Sequence, residues 1–168
     1  VGYQAFSGSG GMVESVGVGK SVGSAMSSGQ WNVFVGHNAA SGRSAGTSNI
    51  AIGYIANQKG TGSNNVAIGS SSVKNLTSGS GNVGIGTNAL SMTTSGIGNV
   101  AIGHEALVSN TTAGSNIAIG KESMRSNLTA LDNQAIGTNA LGSLVSGNGY
   151  NIAIGTSTGY SITTGGNN

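Results

Sequence analysis

Four carboxylates and two imidazoles are the groups in this 168-residue chain that could carry acid–base or metal chemistry: Glu14, Glu105, Glu122 and Asp132, with His37 and His104. Glu105 and Glu122 stand 17 residues apart, each two residues after a glycine. If that interval is one turn of a stacked structure, their carboxylates lie about 5 Å apart, near the separation at which a retaining glycosidase holds its nucleophile and its acid–base. The competing reading is a solvated ladder in which the adjoining His104 and Lys121 relieve the repulsion between two like charges. We adopt the second, so no enzyme activity and no catalytic residue are expected. His37 and His104 are four turns apart and cannot share an ion. Calcium-binding repeats need regularly placed Asp, and Asp132 is alone. No metal and no cofactor are expected.

The elements that would position these groups come from an internal period, which must be sought before anything else. A pentad, Asn–apolar–small–apolar–Gly, recurs at 49–53, 65–69, 82–86, 99–103, 116–120, 133–137 and 151–155, with variants at 14–19 and 32–36. Its closing glycines fall at 2, 19, 36, 53, 69, 86, 103, 120, 137 and 155, a spacing of 17 with one step of 16 and one of 18. A small residue favours the third place after each glycine (Ala39, Ala56, Ala89, Ala106) and an apolar one the fourth (Phe6, Val73, Leu90, Leu107). A polar stretch rich in Ser, Thr and Gly follows. The chain begins at Val1, on the tail of one pentad, and ends at Asn168, which would open another. We therefore read residues 1–168 as a single repeat array, a fragment of a longer fibrous protein.

A unit this short, with Gly at fixed points, has no room for a helix. Alternation of large and small apolar residues is the period of a strand. The expected fold is an all-β parallel solenoid of about ten coils, two short strands per coil, rising about 4.8 Å each. Within it, Val66, Ile68, Val100, Ile102, Ile117, Ile119, Ile152 and Ile154 are expected to fill the coil interior. Asn32, Asn49, Asn65, Asn82, Asn99, Asn116, Asn133 and Asn151 are expected to form a ladder of side-chain amides, each bonded to the coil above. Ala51, Ala67, Ala101, Ala118, Ala135 and Ala153 would then face outward. A small, apolar outward strip suits close approach of another surface, so self-association is expected there. Trp31 and Phe34 sit in one irregular coil, either as a platform on which a sugar ring stacks or as packing against a neighbouring chain; packing is favoured.

Composition narrows the function classes. Charged residues are 6% of the chain, where about 25% is usual, and the net charge of +2 is scattered. Nucleic-acid binding needs clustered cations with stacking aromatics, so no nucleic-acid partner is expected. No apolar run approaches the roughly 20 residues of a membrane span, and no membrane insertion is expected. The mixed residues after the closing glycines do not form the flat Thr column that ice binding requires. Glycosylation sequons at Asn75, Asn110 and Asn127 follow from a loop rich in Asn, Ser and Thr and are read as accidental.

The unit Asn-Val-Ala-Ile-Gly-x-x-Ala resembles the head repeats of YadA-like trimeric autotransporter adhesins. In spacing and loop character it is more similar to repeat arrays of bacteriophage tail fibres. The resemblance covers nearly the whole chain, although adhesin heads have shorter repeats. It implies a left-handed β-roll, a homotrimer around a shared axis, and an extracellular place on a virion fibre or a bacterial cell surface. The leading expectation is a structural segment of a tail-fibre-like assembly that positions host attachment. The alternatives are an adhesin head that grips matrix or a cell-surface glycan or receptor directly, and a self-assembling extracellular filament.

Overall fold

The triplet before each closing glycine from Gly19 onward forms a three-residue strand in the computed structural model, which describes residues 1–7 and 12–167, with Met12 and Val13 by backbone alone. Asn168, read above as the opening of a further pentad, lies outside the described residues. Strands Val16–Val18, Val33–Val35, Ile50–Ile52, Val66–Ile68, Val83–Ile85, Val100–Ile102, Ile117–Ile119, Gln134–Ile136 and Ile152–Ile154 stack into one nine-stranded parallel sheet in sequence order. The chain is an all-β solenoid of about nine turns, with no helix among the described residues.

Register is uniform along the stack. Val100 pairs with Ile117, Ala101 with Ala118 and Ile102 with Ile119. The two coils of unusual length do not disturb it: Ile50 still pairs with Val66, and Gln134 with Ile152. The missing and the extra residue both fall in the polar loop before the Asn column, where strand Ser146–Gly149 carries a bulge. A register slip by one residue would turn every buried side chain outward, so length variation is confined to the loop.

The wall opposite the main sheet differs from the expected second strand. It is a succession of turns, and among the described residues short strands occur there only as the pairs Met12–Val13 with Gly29–Gln30, Gly42–Arg43 with Lys59–Gly60, and Ser146–Gly149 with Thr164–Gly166. The reason lies in the backbone. The second and fourth residues after each closing glycine are left-handed, as at Glu105 (φ 56) and Leu107 (φ 49), or Glu122 (φ 57) and Met124 (φ 47). Each such residue costs about 1–2 kcal/mol. Full burial of a Leu or Met side chain returns about 1.5–3 kcal/mol, and both Leu107 and Met124 are wholly buried. Their amides also bond the next coil, Leu107 N–H to Ser123 O at 3.0 Å and Met124 N–H to Ala140 O at 2.9 Å.

The closing glycine is required twice over. At Gly103 φ is +138°, and a Cβ placed there would stand 2.5 Å from the carbonyl oxygen of Gly120 in the next coil. Backbone conformation and coil-to-coil approach both exclude a side chain.

Candidate functional site

The expected parity of the strands is reversed. Ala51, Ala67, Ala101, Ala118, Ala135 and Ala153 are buried and line the coil interior. Val66, Ile68, Val100, Ile102, Ile117, Ile119, Ile152 and Ile154 point away from it and are half-buried or exposed, Ile154 reaching 68%. The physical reason is the narrowness of the coil. The wall of turns sends in the large residues Val73, Leu90, Leu107, Met124 and Leu141, all buried, and a second large residue from the strand would have no space. Association through an outward Ala strip is therefore excluded. The outward face is a nine-strand surface of Val and Ile, interrupted by Gln134.

Size complementarity across the coil is legible at the exceptions. Gly17 replaces Ala where Phe6 lies opposite, and a Cβ on Gly17 would run into the Phe6 ring. Phe34 replaces Ala where Gly23 lies opposite, and a Cβ on Gly23 would be 3.4 Å from Phe34 Cδ2. Gly84 faces Val73, whose Cγ2 would be 2.6 Å from an added Cβ. Phe34 is accordingly wholly buried, its ring centroid 6.1 Å from that of Phe6. It offers no surface for a sugar or a neighbouring chain, and its role is interior packing. Trp31, by contrast, is 56% exposed, and its Nε1–H donates to Glu14 Oε2.

The Asn column is continuous from Asn32 to Asn151. Asn82 Oδ1 accepts two bonds from the next coil, from the Asn99 backbone N–H and from Asn99 Nδ2, both at 3.0 Å. Asn99 Nδ2 also donates to Ala113 O at 2.8 Å. The same pair of bonds links Asn32 to Asn49, Asn49 to Asn65, Asn65 to Asn82, Asn99 to Asn116, Asn116 to Asn133 and Asn133 to Asn151. Ser15 stands in for Asn in its coil, its Oγ accepting the Asn32 amide at 3.1 Å. All of these asparagines are wholly buried. Asn32, Asn49, Asn65, Asn82, Asn99, Asn116 and Asn133 thus each satisfy a backbone amide that the sheet leaves free, in a place where an unpaired group would be costly.

One buried polar cluster has no signature in the pentad. Arg43 is wholly buried, at the loop position that Met26, Leu76 and Leu144 fill in other coils. Its Nη1 donates to Asn57 Oδ1 at 2.8 Å and to Lys59 O at 3.1 Å, and its Nη2 reaches Gly62 O and Ala45 O. Asn57 takes the interior place held by Val73 and Leu90 elsewhere, and Gly60 follows at the place of Leu76. Arg43 Nε and Asn57 Nδ2 find no partner. Among the described residues no carboxylate pairs with this guanidinium, and burial lowers its pKa to about 10. The signal in the sequence was that Asn57 and Gly60 together break two apolar columns one coil beyond Arg43.

Glu105 and Glu122 do come together with His104, their ligand-capable atoms lying within 4.8 Å of one another. Each carboxylate has a cation beside it: Arg125 Nε is 3.3 Å from Glu105 and Lys121 Nζ 3.4 Å from Glu122, while the His104 imidazole lies 4.0 Å from Glu105 through Nε2. Among the described residues no pocket opens beside them. His37 lies apart from this cluster and meets the Tyr54 ring at a tilt of 53°, centroids 5.6 Å apart. Of the sequon residues, Asn110 and Asn127 are wholly buried, Asn127 closing its own loop through bonds to Ala130 O and N at 3.0 and 2.9 Å. Among the described residues no helix is long and apolar enough to cross a membrane.

Comparison with family models, curated proteins and solved structures found no match to this chain.

Proposed function

We propose that this chain is a structural segment of an extracellular fibre of the tail-fibre type, a stiff spacer that positions host attachment, and that it works as a homotrimer joined along its Val/Ile face. The single observation behind this reading is the unbroken nine-strand parallel stack with an apolar outward face. A stack in which every step repeats the same strand pairing and amide ladder has no hinge, which suits a spacer. Its outward rows of Val and Ile carry no charge, so covering them costs no ionic desolvation. A second copy bears the same rows at the same pitch of about 4.8 Å. Its ridges can match the furrows of the first along the whole length, whereas an unrelated surface would match over a coil or two. The number three, and a place on a virion fibre or bacterial surface, follow from the resemblance to tail-fibre and adhesin repeats.

Native mass measurement together with sedimentation at micromolar concentration tests the proposal. A single species of three chains is expected. A soluble, stable monomer, or open-ended polymers, would overturn it.

A further inference from the structure

The column immediately before the Asn ladder is left-handed at Glu14, Trp31, Ser48, Asn64, Gly81, Gly98, Ser115, Asp132 and Tyr150. Gly, Asn and Asp are the residues best suited to a positive φ, and the small Ser side chain and the flexible Glu14 occupy the column as well. Trp31 (φ 55) and Tyr150 (φ 60) are poorly suited to it. Both rings are more than half exposed, at 56% and 61%, so burial within this chain does not offset the unfavourable backbone. The left-handed turn belongs to the coil, but a bulky aromatic kept in it with its ring exposed is a costlier occupant than Gly or Asn, and an unfavourable choice of this kind points towards function.

The two aromatics share a second feature. Each follows, by one coil in the same column, an acid: Glu14 before Trp31 and Asp132 before Tyr150. The chain has four acids, and two of them stand here. The indole Nε1–H donates to Glu14 Oε2, which fixes the ring relative to the carboxylate. Stacking places Ser48 on the far side of Trp31, its amide bonded to Gln30 O at 3.0 Å, and Tyr150 beside Asp132, its amide bonded to Asp132 O at 3.1 Å.

An exposed aromatic face beside a carboxylate acceptor, continued by a hydroxyl and an amide, has the chemistry that recognises sugar. The ring face packs on the C–H surface of a pyranose, and the polar groups take its hydroxyls. Coils repeat about every 4.8 Å, close to the length of one hexopyranose unit, so successive sugars can meet successive coils. The geometry points to a carbohydrate-binding strip along this column. Trp31 is the stacking platform, Glu14 accepts hydroxyl protons, and Tyr150 with Asp132 forms a second subsite of the same kind. The two carboxylates favour a neutral hexose polymer and disfavour uronates or sialylated glycans, whose charges they repel. This goes beyond the spacer role: the rod's flank would itself hold glycan, with no bond made or broken.

Trp31 is the sole tryptophan, so its emission reports on this site alone. The intact chain is titrated with maltohexaose, cellohexaose, mannohexaose, chitohexaose and β-galactohexaose, and with hexagalacturonate. A saturable shift of Trp31 emission with at least one neutral hexasaccharide, and none with hexagalacturonate, is expected. Glu14→Gln weakens that binding about tenfold, the equivalent of about 1.4 kcal/mol. Trp31→Ser abolishes it by calorimetry without lowering the melting temperature, because Ser48 and Ser115 already occupy the same column. The proposal is overturned if no neutral hexasaccharide shifts the emission at millimolar concentration, or if hexagalacturonate binds equally well. It is also overturned if Trp31 is shielded from acrylamide in the sugar-free protein and Trp31→Ser lowers the melting temperature, for then the indole is packed against a second copy.

Discussion

Arg43 places a guanidinium inside a coil at a position where Met26, Leu76 and Leu144 stand in other coils. Burial lowers it from its ordinary value to about 10, a difference of more than two pH units, which corresponds to about 3 kcal/mol of stability. The sign follows from proton counts. Below about pH 10 both folded and unfolded chains hold the proton, so the cost is present in full. Between about 10 and the ordinary guanidinium value the unfolded chain binds more protons, so stability rises with pH. Denaturant midpoints of the wild type, taken relative to Arg43→Met, are expected to climb from about pH 10 upward. A flat difference would contradict the assignment. The companion prediction is a double-mutant cycle at neutral pH. Arg43→Met alone deprives Asn57 Oδ1 of its donor, an orphan worth about 1–3 kcal/mol. Arg43→Met with Asn57→Leu removes charge and orphan together and puts an apolar side chain at both places. The pair is expected to exceed the single variant by that amount and to equal the wild type or better, as buried charges replaced by packed apolar groups often do. The amide ladder behaves differently, because each of its members serves the backbone. Asn99→Ala leaves the Asn116 backbone N–H without an acceptor and is expected to cost about 1–3 kcal/mol by calorimetry.

Strand and turn wall together decide what the interior can hold, and this is where sequence reading stopped short. Period, strand positions and the glycine turns are legible because each has a spacing. Parity is not, since alternation says only that neighbours face opposite ways. Val and Ile are the more hydrophobic pair, and an isolated strand would bury them. The information needed lies across the coil, in the match between the strand's middle residue and the fourth residue after the preceding glycine: Phe6 with Gly17, Gly23 with Phe34, Val73 with Gly84, Leu90 with Ala101. Such pairing has meaning only if both members share an interior, so it would have placed Ala inside and moved the association surface to Val and Ile. Arg43 was hidden for a related reason, as one cation in a polar stretch whose partners belong to the next coil. The pairing rule makes a quantitative prediction. Gly84→Ala drives a methyl against Val73 Cγ2, and overpacking of this size costs about 1–3 kcal/mol. Adding Val73→Leu reproduces the Leu90–Ala101 arrangement of the neighbouring coil and is expected to recover more than half of the loss in melting temperature. Failure to recover would mean that the two walls do not pack as a unit.

Over the whole rod, the outward Val/Ile face is the property that no single coil explains. A parallel sheet is ordinarily covered on both faces, and here the turn wall covers only one. Exposed apolar residues scattered singly need no explanation, but a continuous strip does. The strip also lacks the devices that keep exposed sheets apart, since no residue of its nine strands is Lys, Glu, Asp or Pro. Substituting Ile102, at mid-array and 36% exposed, separates the two ways in which the face could behave. In a lone solenoid, Ile102→Lys is a surface change and shifts stability by no more than about 0.5 kcal/mol. In an assembly that closes over this face, the same lysine is buried against the Ile and Val of other copies without a counter-ion, which is strongly unfavourable. The expected outcome is dissociation to monomers that keep the wild-type strand signal in circular dichroism. Because the interface is uncharged, raising salt should neither mimic nor rescue the substitution. If Ile102→Lys keeps the wild-type mass, the chains meet along some other face, and the rows of Val and Ile must then be covered by something other than a copy of themselves.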